Sequence, residues 1–160
     1  MAKEEKILLW LVAFVGLVMI VSRKSWTLPI AGESYRQHFE QAELENGLPK
    51  NILARMAQQE SAFRQDIISG ETKSHAGAIG LMQIIPRWHP DVDPYDPVAS
   101  IYYAGRYMKQ NYDRFGDWRL ALAAYNYGPG NVSRVKGDVS KMPKETRDYV
   151  KEISHDIGLA

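Results

Sequence analysis

The pattern of apolar and polar positions separates an apolar N-terminal run from a longer segment with helical periodicity. Residues 7–21 are ILLWLVAFVGLVMIV, fifteen residues without a polar side chain. As a helix this run is roughly 22 Å long, somewhat short for a hydrocarbon core of about 30 Å. The residues after it match the small-residue cleavage site of a secretory signal poorly. The pattern favours an uncleaved membrane anchor over residues 1–24, with a cleaved or slowly released signal as the alternative.

A linker is predicted at residues 25–33, where Pro29 and Gly32 interrupt the chain and no apolar period is present. Two lysines precede the apolar run, and an arginine and a lysine follow it. Because basic residues flank the run on both sides, the positive-inside rule gives no orientation. The expected membrane contact is therefore made by residues 7–21, in either orientation.

Helical signals dominate residues 34–160. Helices commonly begin at Ser, Asp or Pro and commonly end at Gly. The predicted boundaries are Ser34 to Gly47, Pro49 to Ser61, Asp96 to Tyr112, Asp117 to Gly128 and Pro143 to Gly158. The prolines at positions 86, 90, 94 and 97 predict a long irregular loop, and only residues 84–85 and 132–139 leave room for a short strand. We expect a compact all-α domain, α+β at most.

Composition narrows the possible classes of function. With 45% hydrophobic and 24% charged residues the chain is typical of a packed globular protein. The absence of cysteine excludes disulfides, thiolate metal sites and a cysteine nucleophile. Outside residues 1–24, 16 basic and 17 acidic residues nearly balance, which argues against nucleic acid as a partner. The four histidines are scattered without metal-ligand spacing, so no metal or cofactor is expected.

One acidic residue lies on an apolar helix face. Leu53, Met56, Ala57 and Glu60 follow each other at helical spacing, so the stripe that packs into the core ends in a carboxylate. Burial would raise the pKa of Glu60 and make it suitable as a general acid. The alternative is that Glu60 turns into solvent at the helix end. The acidic residues of the preceding helix are expected on its solvated face: Glu40, Glu43 and Glu45.

Two further segments contain polar side chains beside sharp turns. In GAIGLMQ at residues 77–83, two glycines allow sharp turns or close backbone approach, and Gln83 has both hydrogen-bond donors and acceptors. In AYNYGPG at residues 124–130, Tyr125 shares a helix face with apolar residues of the same helix. Either segment taken alone is equally consistent with core packing followed by a turn.

Taken in chain order, these segments resemble the catalytic domain of the soluble lytic transglycosylases, lysozyme-like enzymes that cut peptidoglycan. The matching motifs are QES at 59–61, Ser74 ahead of GLMQ at 80–83, AYNYGPG at 124–130 and ETRDYV at 145–150. The resemblance extends from about Leu48 to Ile153. It implies a lysozyme-like helical catalytic domain over residues 34–160, acting on the glycan strands of peptidoglycan without a cofactor.

The resemblance implies that Glu60 is the single catalytic acid and base. It would protonate the glycosidic oxygen between N-acetylmuramic acid and N-acetylglucosamine, while the muramic acetamido group supports the positive centre. It would then take the proton of the 6-hydroxyl, and ring closure gives a 1,6-anhydro end without water. Ordinary glycosidases need two carboxylates. The substrate-binding residues implied by the motifs are Ser74, Met82, Gln83, Tyr125, Asn126 and Tyr149.

The chain departs from the family pattern in two places. Ile85 stands where many relatives have a methionine of the cleft, which changes a sugar-contact surface. The proline-rich loop with Trp88, His89 and Tyr95 matches no detailed family pattern. Its aromatic residues either stack on sugar rings or brace the wall of the cleft.

Two other functions stay open at this point. A hydrolytic muramidase on the same fold would need a second carboxylate to activate water, and the candidates are Asp66, Glu71, Asp91, Asp93 and Asp96. A non-catalytic glycan-binding or assembly module is the other. The expected location is a membrane, either the bacterial inner membrane or the virion membrane of a bacteriophage, with the catalytic domain facing the cell wall.

Overall fold

The structure, a computed structural model, describes residues 26–159. Within this range the regular elements are seven α-helices and two 3₁₀ turns, the latter at Ile30–Tyr35 and Val139–Lys141. The helices are α1 (Arg36–Asn46), α2 (Ile52–Ser61), α3 (Gln65–Ile68), α4 (Pro97–Phe115), α5 (Trp118–Tyr127), α6 (Pro129–Arg134) and α7 (Lys144–Ile157). Residues 26–159 contain no strand, only one antiparallel bridge between Ile79 and Ile84. The all-α prediction is confirmed for this range.

The predicted anchor at residues 1–24 lies outside the described residues. Among residues 26–159, no helix is long and apolar enough to cross a bilayer.

Most helix ends follow the signals in the sequence. The Asp96 carboxylate accepts hydrogen bonds from the backbone N–H groups of Val98 and Ala99 at the start of α4. Gly47 and Gly158 end α1 and α7 in the left-handed conformation that favours glycine. Ser34, in contrast, does not cap α1, because it lies within a 3₁₀ turn that leads into the helix.

The core forms around α5, which packs against α4, α6 and α7. Residues 121–124 of α5 are fully buried, and because three of the four are alanine, neighbouring helices approach closely. The other fully buried side chains include Leu53, Met56, Leu81, Ile101, Met108 and Ile153. This arrangement fixes α2 and α5, the two helices that bring the QES and AYNYGPG segments together.

Glu43 corrects the expectation of a fully solvated acidic face on α1. It is only 5% exposed, and its carboxylate accepts hydrogen bonds from the N–H groups of Asn51 and Leu53, each 2.9 Å. These groups are the unpaired donors at the start of α2, whose own N-cap residue Asn51 makes no side-chain cap. Burial raises the pKa of Glu43 to about 7. Glu43 therefore joins α1 to the N-terminus of α2, the helix that carries Glu60.

Much of the linker predicted at residues 25–33 is packed against the helical body. Trp26 and Leu28 pack against the core, and the Trp26 indole N–H donates to the Gln58 side-chain oxygen at 2.7 Å. Gly32 is buried so closely that a Cβ atom there would lie 2.7 Å from Leu28 and Phe63 side chains. The chain is therefore attached to the helical body from Trp26 onwards, because these apolar side chains find partners on it.

Candidate active site

Glu60 is the penultimate residue of α2 and is held there by packing and by an ion pair. Leu53, Met56 and Ala57, which share its face, are fully buried as the spacing predicts. The nearly buried Arg55 guanidinium donates to Asp156 on α7 at 2.7 Å and to the Gln59 side chain at 2.8 Å. The end of α2 is therefore fixed against α7, and with it the position of the Glu60 carboxyl group.

The Glu60 carboxyl group lines a cleft of about 480 Å³ instead of turning freely into solvent. Burial raises its pKa to about 7, a nearby hydroxyl of Tyr149 lowers it in part, and the negative charge of Glu145 raises it further. The position at the C-terminal end of a helix also disfavours a negative charge. At neutral pH the group therefore exists in both the protonated and the ionised form, as a residue that donates and then accepts a proton requires.

Tyr149, a residue of α7, lies beside Glu60 and is 4% exposed. Within residues 26–159 its hydroxyl group makes no hydrogen bond of normal geometry. Burial and the neighbouring Glu60 carboxylate raise the pKa of Tyr149 well above its ordinary value, so the phenol stays neutral. It lines a smaller cavity of about 300 Å³ that adjoins the cleft and also contains Glu60.

The GLMQ segment forms one wall of the cleft as a very tight hairpin. Ile79 and Ile84 exchange two backbone hydrogen bonds of 3.0 Å, and the chain reverses between them. Gly80 has φ +80°, and a Cβ atom there would lie 2.0 Å from the carbonyl oxygen of Pro94. Gln83 also has a positive φ of 48°, an unusual conformation for a residue with a side chain. Its side chain lines the cleft, and its amide nitrogen donates to the carbonyl of Gly80 at 3.0 Å.

Met82 differs from the other predicted substrate-binding residues. Its side chain is 0% exposed and belongs to the core, so it offers no surface to a sugar. Gln83 faces the cleft, while the neighbouring Met82 side chain faces inward. The contribution of Met82 to the cleft is its carbonyl oxygen, which accepts the hydrogen bond of the Tyr125 hydroxyl at 2.8 Å.

Ser74 lines the same cleft from an exposed loop. Its hydroxyl oxygen accepts a hydrogen bond from the Ala78 N–H at 2.9 Å. Because that bond uses a lone pair, the hydroxyl hydrogen stays available to a ligand.

Tyr125 and Asn126 come from the last turn of α5 and complete the cleft. Burial and the nearby Glu60 carboxylate raise the pKa of Tyr125 well above its ordinary value. The Asn126 side-chain oxygen accepts a hydrogen bond of 2.7 Å from the hydroxyl of the buried Thr146. This bond directs the amide of Asn126 and leaves its N–H₂ group for the cleft, which Asn126 lines.

His75, Tyr103 and Tyr107 are cleft residues that the sequence did not predict, whereas His89 was expected in a loop that stacks on sugar rings or braces the wall of the cleft. His75 and His89 line the cleft, together with Tyr103 and Tyr107 of α4. Rings of the α4 tyrosines pack against His89, and the His89 Nδ1 atom lies 2.7 Å from the Tyr103 hydroxyl oxygen. The spacing of Tyr103 and Tyr107 on one face of α4 was an available signal. The contribution of His89 depends on how the proline-rich loop folds back, which has no local signal.

Glu145 is the second carboxylate of the cleft, and it was also missed. It lines both the cleft and the smaller adjoining cavity, and it makes no ion pair within residues 26–159. The five acids considered for a hydrolase do not line the cleft: Asp66, Glu71, Asp91, Asp93 and Asp96. Three of them have structural partners, since Asp66 pairs with Arg64, Asp93 accepts a hydrogen bond from the Tyr95 N–H and Asp96 caps α4. Within residues 26–159, no three acidic or histidine side chains come together to hold a metal ion.

Comparison with known proteins identifies relatives of this chain. The family model described as Transglycosylase SLT domain matches residues 37–147. The chain is 33% identical over 129 residues to membrane-bound lytic murein transglycosylase F 2 of Alkalilimnicola ehrlichii, covering 74% of this chain and 27% of that protein. It is also 33% identical over 121 residues to a transglycosylase of Enterobacteria phage PRD1, covering 74% of this chain and 41% of that protein.

A solved structure shares the fold. The 70 kDa soluble lytic transglycosylase of Escherichia coli superposes with a TM-score of 0.62 at 29% identity, covering 77% of this chain and 23% of that chain. The helical, lysozyme-like fold expected from the motifs is thereby confirmed for the described residues. The chain spans about a quarter of the length of the bacterial relatives and structures that it matches.

Proposed function

We propose that this chain, which belongs to the Transglycosylase SLT domain family, is a peptidoglycan lytic transglycosylase that uses Glu60 as its acid and base. Relatives named as lytic murein transglycosylases support the activity and the substrate class. The observation that carries the proposal is the Glu60 carboxyl group, which lines the cleft with a pKa raised by burial to about 7.

In the first step Glu60 donates its proton to the glycosidic oxygen as the bond between this oxygen and the muramic C1 breaks. The leaving N-acetylglucosamine departs with a free 4-hydroxyl group. The acetamido group of the muramic residue supports the positive charge that develops at C1. The raised pKa favours this step because the carboxyl group is still partly protonated at neutral pH.

In the second step the Glu60 carboxylate accepts the proton of the muramic 6-hydroxyl, and the freed oxygen attacks C1. The product is a 1,6-anhydro ring, no water is consumed, and Glu60 is protonated again. A second carboxylate is not needed to activate a nucleophile in this scheme, in contrast to hydrolytic glycosidases.

The remaining cleft residues have binding roles in this proposal. The Ser74 hydroxyl hydrogen and the Asn126 N–H₂ group are donors for the acetamido carbonyl or the sugar hydroxyls. Gln83, on the hairpin wall of the cleft, supplies an amide oxygen. Tyr125 and Tyr149 stay neutral beside Glu60 and limit access of water to the carboxyl group.

A hydrolytic muramidase remains the second candidate because Glu145 lines the same cleft. If Glu145 activates water, cleavage gives reducing ends instead of anhydro ends. Glu145 is an exposed residue at the rim of the cleft, and no group among residues 26–159 forms an ion pair with it. The transglycosylase is favoured because relatives of the chain are named lytic murein transglycosylases.

The test of the proposed function is the variant Glu60→Gln, which preserves the shape of the side chain and removes the acid. We expect it to fold as the parent chain does and to lose at least about a hundredfold in the rate of release of soluble fragments from purified peptidoglycan. Glu45→Gln, an exposed glutamate on α1, is the matched control and should retain full activity. Substantial turnover by Glu60→Gln would refute the assignment of Glu60.

We further propose that residues 1–24 anchor the enzyme in a membrane with the catalytic domain, residues 34–160, facing the cell wall. The apolar run at residues 7–21 supports this, as does the attachment of the chain to the body from Trp26 onwards. With so little chain between the two, the enzyme acts on glycan close to its bilayer. A bacterial inner membrane and a bacteriophage virion membrane both fit, and transglycosylases of both sources are among the relatives.

A further inference from the structure

The cleft around Glu60 continues into a second cavity that the proposed chemistry does not use. We call the cavity containing Glu60 the acid lobe and its neighbour the loop lobe. The loop lobe has a volume of about 470 Å³, within the range of ligand-binding pockets. The two lobes have five wall residues in common: Ile85, His89, Tyr107, Tyr125 and Asn126. They are therefore parts of one continuous groove.

Trp88 lines the loop lobe and not the acid lobe. It is 65% exposed, although a tryptophan side chain is among the most costly to leave in water. The Arg87 guanidinium lies 4.8 Å from the centre of the Trp88 ring system. The cation covers part of one side of the indole, and the rest of the indole stays open.

The loop that carries Trp88 is held in place before any ligand binds. The backbone N–H groups of Trp88 and His89 both donate to the carbonyl of Ile85, at 3.0 and 3.2 Å. The next side chain, His89, is fixed by its contact with the Tyr103 hydroxyl and by edge-on packing against Tyr107. A backbone that is already held in place loses less entropy on binding, so an exposed indole here is suited to a ligand contact.

The walls of the loop lobe indicate the chemistry of its ligand. None of its ten wall residues carries a formal charge when His89 is neutral, and burial lowers the pKa of His89. The small cavity on the other side of Glu60 is instead lined by Glu145, Asp148 and Glu152. An uncharged ligand with an apolar face and hydroxyl groups fits the loop lobe, and a pyranose ring is such a ligand.

We propose that Trp88 is a stacking platform for a sugar ring of the glycan strand, at a position outside the acid lobe that contains Glu60. This inference rests on the proposed function, because it takes the glycan strand as the ligand of the groove. Its consequence is that Trp88 determines how strongly the enzyme prefers long strands over short ones. A strand that fills only the acid lobe gains nothing from Trp88.

The experiment measures binding of β-1,4-linked N-acetylglucosamine oligomers of two to six units to the full chain bearing Glu60→Gln, which blocks turnover. In this parent, Trp88→Ala should weaken binding of the hexamer roughly three- to tenfold and leave binding of the dimer unchanged. Trp88→Phe, which keeps an aromatic face, should recover most of the loss. Leu44→Ala, which removes an exposed apolar side chain far from the groove, is the control.

Equal hexamer affinity in Trp88→Ala and its parent would overturn the inference, as would an equal loss for dimer and hexamer. With Glu60 restored, Trp88→Ala should raise KM for long peptidoglycan strands and leave kcat unchanged. A parent that binds no oligomer, together with a wild-type chain that does not cleave peptidoglycan, overturns the proposed function itself. A wild-type chain that cleaves normally with or without Trp88 overturns only the role of Trp88.

Discussion

At the scale of single residues, Glu60 differs from an ordinary surface glutamate because its surroundings favour the protonated form of the carboxyl group. Its pKa of about 7 results mainly from burial, and Glu145 adds to it because the two carboxylates repel each other. The proton that this environment retains is the one that the proposed reaction uses. Catalysis and stability therefore depend on pH through the same group.

The pH dependence of activity should follow from this pKa. Because Glu60 must be protonated to start the reaction, kcat/KM on peptidoglycan should fall as the pH rises above about 7. Glu145→Gln removes the neighbouring negative charge, so the alkaline limb of the profile should move to lower pH. Glu45→Gln should leave the limb in place. A limb that does not move in Glu145→Gln would mean that Glu145 has no effect on Glu60.

The free energy of unfolding should also depend on the protonation of Glu60. The folded-state pKa of Glu60, about 7, lies above its ordinary value of 4.5, so folding favours the protonated form. The contribution of Glu60 is most favourable below about pH 4.5 and is lost as the pH rises towards 7. Glu60→Gln should therefore be more stable than the wild type by about 3 kcal/mol at pH 8, with the difference disappearing near pH 4. Denaturant unfolding at the two pH values measures it, and a constant difference would contradict this account.

The sequence predicted Glu60 because three preceding residues of its helix face repeat at helical spacing, a local pattern. The positions of Glu145 and His89 in the cleft, and of Thr146 beneath Asn126, depend on loops and helices that meet only in the folded chain. Glu43 was misjudged for a related reason. Its burial follows from the turn between α1 and α2, which brings the carboxylate against backbone groups ten residues further along.

At the scale of elements, the cleft is built where the ends of α2 and α5 meet the hairpin at residues 79–84. Gly80 permits this hairpin to approach the proline-rich loop, and Asn126 connects α5 to α7 through Thr146. Helix boundaries were largely predictable, since Asp, Pro and Gly mark them in the sequence. The long loop was predicted as irregular, but its course across the cleft was not, because proline excludes regular structure without specifying an alternative.

The bond between α7 and α5 can be tested with isosteric variants. Thr146→Val removes the donor and leaves the side-chain oxygen of Asn126 unpaired beside a buried methyl group. We expect kcat/KM to fall roughly three- to tenfold, since a lost hydrogen bond corresponds to about 0.5–1.5 kcal/mol. Thr146→Ser keeps the hydroxyl and should restore most of the activity. Equal activity of the Val variant and the wild type would exclude a role for Thr146 in directing Asn126.

At the scale of the whole molecule, a single catalytic domain carries every residue of the proposed site. The motifs identified the family from the sequence, and the family model and the solved relative agree with it. The linker was the less predictable part. Pro29 and Gly32 marked it as irregular, yet Trp26 and Leu28 pack on the helical body because apolar surface is available there.

Removal of residues 1–24 tests the proposed division of the chain. We expect the shortened chain to stay in the soluble fraction and to cleave isolated peptidoglycan at the rate of the full chain, because the core side chains among residues 26–159 are buried against one another. The full chain should sediment with membranes and dissolve only in detergent. A full chain found in the soluble fraction would contradict the anchor, and an inactive shortened chain would contradict the domain boundary.

The most direct test of the central claim is the mass of the products released from purified peptidoglycan. If Glu60 drives ring closure without water, the fragments should carry 1,6-anhydro ends and be lighter than the corresponding hydrolysis products by one water. If the digestion is run in water labelled with a heavy isotope of oxygen, the new ends should then contain no heavy oxygen. Reducing ends that contain the heavy oxygen would contradict the account and make Glu145 the candidate for activating water.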